Sequence, residues 1–552
     1  MLKSIKAVSS LEKIFIDSDV SDLTELKHFS MLKNEKKSFQ IALDITDSEF
    51  INIDIASSLN DFLNISVVKN VPSELAAPKR TDNFYIKKVP GLYPDLLLPV
   101  SEGYSFDSSG TFAFWIEISP SGEKLLPSGN HNIVVTARTK STTYKTELSV
   151  EVIDALLPKQ TLIYTNWIHT DCLMTYYGFK AFTDEYWEAL RNYLNKAVKY
   201  GMNCVLTPIF TPPLDTEIGK ERPTVQLVKI NTAGNGAYSF DFSLLKKWIS
   251  ISKECGIEYF ELSHFFTQWG AKHAPKIEAC VNGKEEKIFG WNTKATGIEY
   301  KHFLRQFAFA LKSFLQKENL EDNVLVHVSD EPPFSSLVSY KKASRIIHHL
   351  FPEYKIIDAM SSYPLAKICN VRYPIPANDY IDSFIGKTEE LWTYYCSAQS
   401  SKNVSNSFFS MPSVRNRILG YQMYKYSVKG FLHWGYNFYF NQYSRKPIDP
   451  YKVTDAGKAF ASGDSFVVYP GDNFTPLNSL RLNVFYDGLQ DMMALQLLET
   501  KIGKEAVVKL MEDSTDKPIT FSEYPHSNSW LLENREKINQ KIKNIFNIDS
   551  NQ

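Results

Sequence analysis

The sequence lacks the features that mark several large classes of protein. Its 552 residues carry 61 Lys and Arg against 62 Asp and Glu, so there is no basic excess for binding nucleic acid. No run of about eighteen apolar residues suggests a membrane span. The N-terminus passes directly into polar sequence, without the apolar core of a signal peptide. We therefore expect a cytoplasmic protein that binds neither nucleic acid nor membrane.

Cysteines are few and scattered. There are six, with none before Cys172 and no CxxC pair, which is typical of reduced thiols. The chain also has no HExxH zinc motif, no GxSxG nucleophile motif and no glycine-rich phosphate loop, and His348 and His349 lack metal-ligand spacing. We expect no metal and no cofactor, and chemistry that depends on carboxylates.

The composition is that of an ordinary globular protein with more than one domain. Hydrophobic residues make up 43% and charged residues 22% of a chain that is too long for a single core. Aromatic residues reach 14%, and their flat apolar rings suit the C–H faces of sugars. Two or three domains and a neutral ligand are therefore expected.

The first part of the chain reads as a set of short strands. β-Branched or alternating runs are separated by turn-rich pieces such as those at 120–122 and 127–129. This pattern predicts an antiparallel β-sandwich over residues 1–157. The predicted strands include residues 38–43, 51–55, 111–118, 132–137 and 145–153.

Strand-like and helix-like segments alternate after residue 157. Eight such strands point to a (β/α)8 barrel over residues 158–510, followed by a helical extension over 511–552. A doubly wound sheet is the alternative, but the missing glycine-rich loop weakens it. The predicted strands are 162–167, 203–207, 257–262, 323–328, 355–359, 380–385, 391–396 and 430–435.

The fourth of these strands ends in the most informative feature of the sequence. An apolar run over 323–328 is followed by Asp330 and Glu331 and then by two prolines, which stop a strand or a helix from continuing. Neighbouring residues on extended backbone point to opposite sides, so the two acids should have different roles. The pair Asp184-Glu185, in contrast, reads as the acidic first turn of a helix.

In a barrel of this kind, the active site lies at the C-terminal ends of the strands. Polar and aromatic residues collect there, as a sugar-binding site requires, although alternate residues must face the helices instead. The candidates are Asn166, Trp167, His169, His264, Trp269, Asp330, Glu331, Trp392, Tyr394, Tyr395, His433, Trp434, Tyr436 and Asn437.

Three motifs in this order resemble those of glycoside hydrolase family 123, within the group known as domain of unknown function 4091. They are HVSDEP at 327–332, GFLHWGYN at 430–437, and YPGD at 469–472 with the SLRL and DGLQD segments that follow it. The resemblance covers the barrel and extends to a sandwich placed before it. It implies a retaining β-N-acetylgalactosaminidase that uses the 2-acetamido group of its substrate as the nucleophile.

The resemblance also implies roles for particular residues. Asp330 would orient the acetamide through its N–H, and Glu331 would be the general acid and base. We choose Tyr395 as the donor to the acetamide oxygen and Trp434 as the platform beneath the sugar. Weaker candidates for contacts with sugar hydroxyls are Asn437, His264, Trp291 and Arg417.

Two other readings remain open. A non-catalytic glycan-binding protein could keep the sandwich and the barrel, although a buried acid pair gains nothing in a site that only binds. A glycosidase of the same fold acting on another glycan would have the same motifs. The partner is in each case a glycan, and the sequence says nothing about the oligomeric state, the aglycone or the linkage.

Overall fold

The computed structural model describes residues 1–549, and its first ten strands build two sheets. One sheet has the order β1-β3-β8-β5-β6 and the other β2-β10-β9-β4-β7, and all pairs are antiparallel except β2 with β10. These strands are β1 Leu2–Ser9, β2 His28–Leu32, β3 Lys37–Ile45, β4 Glu49–Ala56, β5 Leu63–Ser73, β6 Gly91–Pro99, β7 Gly103–Phe106, β8 Gly110–Ile118, β9 Gly129–Arg138 and β10 Thr143–Ile153.

The two sheets pack face to face because alternate residues of their strands are apolar. Phe39 and Ile41 of β3, Phe114 of β8, and Ile133 and Val135 of β9 belong to one buried cluster. Burial of such a face is the main driving force for a sheet-on-sheet arrangement. The N-terminal antiparallel region expected from the sequence is therefore present.

The rest of the described chain alternates strands and helices. The strands are β11 Ile163–Asn166, β12 Cys204–Thr207, β13 Lys229–Thr232, β14 Tyr238–Asp241, β15 Tyr259–Leu262, β16 Ile277–Val281, β17 Lys284–Phe289, β18 Val324–His327, β19 Lys355–Ala359, β20 Tyr373–Ile375, β21 Trp392–Tyr394, β22 Gly430–His433, β23 Val468–Pro470 and β24 Pro476–Ser479. The helices are α1 Thr170–Tyr177, α2 Asp184–Lys199, α3 Ser243–Cys255, α4 Ile298–Lys317, α5 Leu337–Leu350, α6 Tyr363–Cys369, α7 Ser413–Arg417, α8 Leu419–Lys425, α9 Leu480–Ile502, α10 Lys504–Glu512 and α11 Asn528–Asp549. Within residues 1–549, no helix has both the length and the apolar character needed to cross a bilayer.

Eight parallel strands form a nearly closed barrel in the order β20-β19-β18-β15-β12-β11-β22-β21. The two ends of this sheet meet through a parallel bridge between Ala377 and Tyr394. A smaller sheet of order β14-β13-β16-β17 is inserted after the second and third barrel strands. Residues on the inner face of the barrel strands form their own buried cluster, which includes Leu206, Leu325, Ile357 and Trp392.

One predicted barrel strand was placed wrongly. The sixth strand is β20, whereas the predicted segment 380–385 contains only a short 3-10 turn at Ile381–Ser383. β20 contains Pro374, a residue that is rare in the interior of strands. The strand lies at the seam of the barrel, where few ladder hydrogen bonds are made, so a proline is tolerated there.

The seven-stranded sheet of the N-terminal region takes two strands from late in the chain. β24 pairs with β6 through Ser479 and Leu96, and β23 pairs with β24. The proposed boundary at residue 157 therefore does not separate the sheets completely. α11 lies in the predicted extension 511–552, of which residues 550–552 are outside the described part of the chain.

Buried ion pairs join α9 and α11 to the N-terminal sheets. Arg481 donates to both carboxylate oxygens of Asp95 at 2.8 and 2.9 Å, and Tyr469 donates to the same carboxylate at 2.6 Å. Arg535 of α11 contacts Glu35 at 2.9 Å and Asp491 at 2.7 Å. These contacts fix the last helices against the sheets.

We expect Asp95→Asn to lower the free energy of unfolding by about 3–5 kcal/mol, because it leaves the buried guanidinium of Arg481 without its counter-charge. Glu389→Gln is the matched control, since Arg372 and Glu389 form a bidentate pair at the surface. Urea denaturation of the three proteins measures the difference. Equal midpoints for both variants would contradict a stabilising role for the buried pair.

Candidate active site

A cavity of about 130 Å³ opens at the C-terminal end of the barrel strands. Three carboxylates, a glutamine and a tyrosine face it among aromatic and aliphatic side chains. Its lining residues are Trp167, Leu214, Asp215, Gln268, Trp269, Asp330, Glu331, Ala359, Tyr394, Cys396, Ser397, Leu432, Trp434 and Phe460. Such a mixture of aromatic walls and a few polar groups is typical of a small-molecule site.

The backbone after β18 places both acids in this cavity. Glu331 has a φ of 41°, in the left-handed region that a non-glycine residue seldom adopts. The chain is therefore not extended here, and the two side chains do not point to opposite sides as the sequence suggested. Both Asp330 and Glu331 line the same cavity.

The two carboxyl groups differ in their hydrogen bonds, and the pKa of each is raised. Burial, followed by the charge of Glu331, raises the pKa of Asp330 well above its usual value. Burial also raises the pKa of Glu331, although a hydrogen bond from the Tyr394 hydroxyl opposes this change. No described residue donates a hydrogen bond to the carboxylate of Asp330. The cavity thus holds one acid ready to accept a donor from a ligand and one acid already oriented by the protein.

A buried charge cluster lies directly below the acid pair. His327, at the end of β18, contacts Glu261 at 2.5 Å and Asp358 at 3.3 Å, and its side chain is fully buried. Burial alone would lower the pKa of His327, but the two carboxylates outweigh it and raise that pKa to about 9. His327 is therefore an imidazolium at neutral pH.

This cluster orients the strand end through direct hydrogen bonds. Asp358 accepts from the backbone N–H groups of Val328 and Ser329 at 3.0 and 3.2 Å. Glu261 accepts from the indole N–H of Trp167, which lines the cavity, at 2.9 Å. The acid-bearing turn and one aromatic wall are thus attached to the same buried charges.

Trp434, predicted from the sequence as the platform beneath the sugar, forms another wall of the cavity. Its indole N–H donates to Asp464 at 3.2 Å, and its ring packs edge-on against Phe438 and Phe460. Asp464 is fully buried, and burial raises its pKa. Its charge in turn contributes to the raised pKa of Glu331.

The tyrosine that reaches the cavity is Tyr394, one residue before the expected Tyr395. Trp392 and Tyr394 belong to the inner cluster of the barrel. Tyr395 faces the other side, where its ring packs against Phe431 and His433 at centroid distances of 5.1 and 5.2 Å. The alternation of side chains along a strand accounts for this one-residue difference.

The four weaker candidates do not line the cavity. Asn437 exchanges two hydrogen bonds with the backbone of His169, and His264 packs its ring over that of His327 at 4.3 Å. Trp291 donates to the carbonyl of Lys220. Arg417 is buried against Asp491 at 2.7 Å, so its charge is used within the fold. Local partners explain the positions of Asn437, Trp291 and Arg417, whereas both ring nitrogens of His264 are buried without a hydrogen-bond partner in the described chain.

Sequence reasoning did not identify Asp215 and Gln268. Asp215 lies in the long loop after β12, and Gln268 follows β15. Neither has a motif around it, since Pro-Pro-Leu-Asp-Thr and Thr-Gln-Trp are ordinary loop sequences. Only the folding of both loops over the barrel end brings them to the acid pair.

Buried carboxylates among aromatic walls at the end of a parallel barrel define the kind of site that glycoside hydrolases use. The family model described as "Glycoside hydrolase 123, catalytic domain" matches residues 167–498, which is more than half of the chain. The protein belongs to glycoside hydrolase family 123 and is a glycosidase. The match begins at Trp167 and includes the acid pair and the cavity.

One of three solved structures that resemble the chain agrees with this fold. A family 123 glycoside hydrolase from Clostridium perfringens, studied for glycolipid glycan hydrolysis, has 16% identity and a TM-score of 0.74, with 100% of this chain and 99% of that chain covered. A β-glucuronidase from Parabacteroides merdae has 11% identity and a TM-score of 0.30, covering 89% of this chain and 52% of that chain. A putative β-galactosidase from Bacteroides fragilis has 9% identity and a TM-score of 0.31, covering 82% and 58%. The last two likenesses are too low to support an argument, and no curated protein matches.

The charge cluster around His327 should make stability depend on pH. A pKa raised from 6.5 to about 9 contributes stability that is fully present below pH 6.5 and is lost as the pH rises through 9. The stability difference between the wild type and His327→Gln should therefore shrink by roughly 3 kcal/mol between pH 6 and pH 10.

Urea denaturation at several pH values measures this difference. His302→Gln is the matched control, because that exposed ring contacts only the Gly236 carbonyl and Gln306. A difference for His327→Gln that stays constant from pH 6 to pH 10 would show that the imidazolium does not form.

Proposed function

We propose that this protein is a retaining β-N-acetylhexosaminidase that removes a terminal β-linked N-acetylgalactosamine by substrate-assisted catalysis. The observation that carries the proposal is the pair of adjacent acids in one cavity, of which Asp330 has no protein donor and Glu331 is held by Tyr394. The proposal treats the nearly closed barrel as a (β/α)8 barrel and the two N-terminal sheets as an associated sandwich.

Asp330 is suited to hold the acetamide. Its free carboxylate accepts the acetamide N–H, which turns the carbonyl oxygen toward the anomeric carbon. As the carbonyl oxygen attacks, the glycosidic bond breaks and positive charge develops on the oxazolinium ring. A carboxylate next to that charge stabilises the transition state more than the ground state. This role requires Asp330 in its charged form. Burial and the charge of Glu331 oppose that form, the imidazolium of His327 favours it, and protonation of Glu331 removes the opposing charge.

Glu331 is suited to move the proton. Burial raises its pKa, which favours the protonated form that a general acid requires. It gives its proton to the leaving oxygen, and the resulting carboxylate then takes a proton from the water that opens the oxazolinium. The product keeps the β configuration because the anomeric carbon is inverted twice.

The walls of the cavity suit one sugar ring. Trp167, Trp269 and Trp434 offer flat faces to the C–H groups of the ring. Tyr394 lines the cavity and donates to Glu331, so we assign to it the contact with the acetamide oxygen that the sequence assigned to Tyr395; its single O–H turns from Glu331 to that oxygen when the substrate binds. A cavity of about 130 Å³ is smaller than the usual ligand pocket, which favours removal of a single terminal residue.

Nitrophenyl glycosides test the substrate class. Release of nitrophenol should be fastest from the β-N-acetylgalactosaminide, slower from the β-N-acetylglucosaminide, and absent from the β-galactoside, because only the first two carry the nucleophile. Equal or faster hydrolysis of the galactoside would refute the acetamido mechanism. Binding of these sugars without any turnover would instead favour a non-catalytic glycan-binding protein.

Substitutions of the two acids should reduce the rate of hydrolysis in different ways. Asp330→Asn should slow aryl and alkyl glycosides alike, by on the order of a hundredfold or more, because it removes a contact made chiefly in the transition state. Glu331→Gln should slow substrates with poor leaving groups far more than nitrophenyl glycosides, whose departure needs little protonation. Steady-state kinetics of both variants on both substrate types measures these losses.

Asp184→Asn and Glu185→Gln are matched controls, since this second Asp-Glu pair lies exposed in the first turn of α2. Both should keep wild-type rates. A fluorosugar that traps a covalent glycosyl-enzyme, together with weak binding of a thiazoline analogue, would indicate a carboxylate nucleophile and overturn the substrate-assisted mechanism.

A further inference from the structure

Two polar side chains of the cavity have no role in the proposed reaction. Asp215 accepts a hydrogen bond from the backbone N–H of Tyr443 at 2.8 Å through its Oδ2 atom, and no described residue donates to its Oδ1 atom. Gln268 is only 5% exposed and uses its amide N–H on the carbonyl of Thr216 at 3.1 Å. Its Oε1 atom is buried and accepts no hydrogen bond from the described chain.

The position of Asp215 is built by the fold. Asp215 and Tyr443 both have left-handed backbone, with φ values of 37° and 61°. The hydroxyl of Ser444 donates to the carbonyl of Asp215 at 2.7 Å, and the N–H of Glu217 donates to the carbonyl of Tyr443 at 3.0 Å. Three hydrogen bonds, including that from the Tyr443 N–H to Asp215, thus attach the loop after the second barrel strand to the loop after the eighth, and they leave one carboxylate oxygen free.

Gln268 belongs to a second fixed segment. The next residue, Trp269, also has left-handed backbone, with a φ of 58°, and its N–H donates to the carbonyl of Asp330 at 2.8 Å. The Trp269 ring contacts that of Tyr443 edge-on at 5.9 Å. The segment with Gln268 is therefore joined both to the acid-bearing turn and to the loop that holds Asp215.

The cavity holds two acceptors without a donor from the described chain: the buried Oε1 of Gln268 and the Oδ1 of Asp215, which is only part-buried. A buried acceptor that lacks a partner loses on the order of 1–3 kcal/mol relative to one that is satisfied. Sugar hydroxyls are the donors that a glycosidase brings into its cavity. Asp215 and Gln268 come from the second and third strands, whereas Tyr394, which holds Glu331, comes from the seventh strand on the opposite side of the barrel.

We propose that Asp215 and Gln268 form a hydroxyl-binding subsite for the end of the terminal sugar ring that lies away from the glycosidic bond. The inference rests on the proposed function, because the acid pair places the anomeric carbon. A hydroxyl at ring position three, four or six donates to the free oxygen of Asp215, and Gln268 accepts from the neighbouring hydroxyl. The pair thereby selects which hydroxyls the terminal residue must carry.

Calorimetry with free sugars tests this subsite without any need for turnover. The ligands are N-acetylgalactosamine and galactose, each with analogues that lack the hydroxyl at position three, four or six. One analogue should bind the wild type on the order of ten- to a hundredfold more weakly than its parent, as for loss of a hydrogen bond to a charged group.

Asp215→Asn keeps an oxygen for the Tyr443 N–H but replaces the free carboxylate oxygen. It should therefore lower the affinity for the parent sugar by a similar factor. The same variant should bind the sensitive analogue no more weakly than the wild type does. The missing sugar hydroxyl and the replaced Asp215 oxygen are each other's partners, so losing both costs no more than losing one. Gln268→Met should show the same non-additivity, and Asp449→Asn, a loop residue outside the cavity, should change nothing.

The subsite would be overturned if, for every analogue, the loss of affinity from the missing hydroxyl and the loss from Asp215→Asn multiplied independently. Asp215 would then act only by holding the Tyr443 loop. Wild-type protein that binds neither parent sugar would overturn it as well. If only the galactose series binds and shows the coupling, the subsite stands and the acetamido function fails, so the two proposals are separated.

Discussion

The active site depends on one buried interaction, the imidazolium of His327 held between Glu261 and Asp358. These residues come from three adjacent strands, β15, β18 and β19, and Thr165 of β11 also donates to Glu261 at 2.5 Å. Charges in a dry interior are costly unless they are paired and hydrogen-bonded, and here nearly every lone pair has a donor. The same carboxylates then orient the peptides just before Asp330 and the indole of Trp167.

This arrangement explains how two neighbouring acids can act on the same bond. The strand delivers them to the barrel end, and the left-handed backbone at Glu331 turns both into one cavity. Burial raises both pKa values, and the charge of Glu331 raises that of Asp330 further, so the pair resists holding two negative charges at once. His327 favours the charged form of Asp330, whereas Asp464 disfavours the charged form of Glu331. Different protonation states of two adjacent acids are what an orienting base and a general acid require.

The N-terminal sheets support the barrel from outside the site. α9 is buried over most of its length and carries Arg481, Asp487 and Asp491 toward the sheets and α11. Because β23 and β24 also join the N-terminal sheet, the segment between the eighth barrel strand and α9 is bound at both ends. Asp464, which orients Trp434, lies in that segment. The sheets thus stabilise one wall of the cavity without contributing a residue to its lining.

The sequence by itself determined the architecture and the acid pair. Seven of the eight barrel strands follow from apolar runs bounded by turn residues, and a run that ends in Asp-Glu-Pro-Pro marks the strand end where chemistry occurs. The family motifs, confirmed by the match over 167–498, rest on the same local segments. Local patterns suffice for these features because periodicity and chain-breaking residues act over a few positions.

Only the tertiary structure decided which side chains meet at the cavity. The alternation of side chains along β21 places Tyr394, rather than Tyr395, in the cavity. The left-handed φ of Glu331 directs both acids into the cavity, whereas an extended chain would separate them. Two distant loops contribute Asp215 and Gln268. Arg417, an equally plausible ligand by residue type, is instead neutralised by Asp491. Contacts between residues far apart in the chain depend on how its loops and helices pack together, and no local pattern records them.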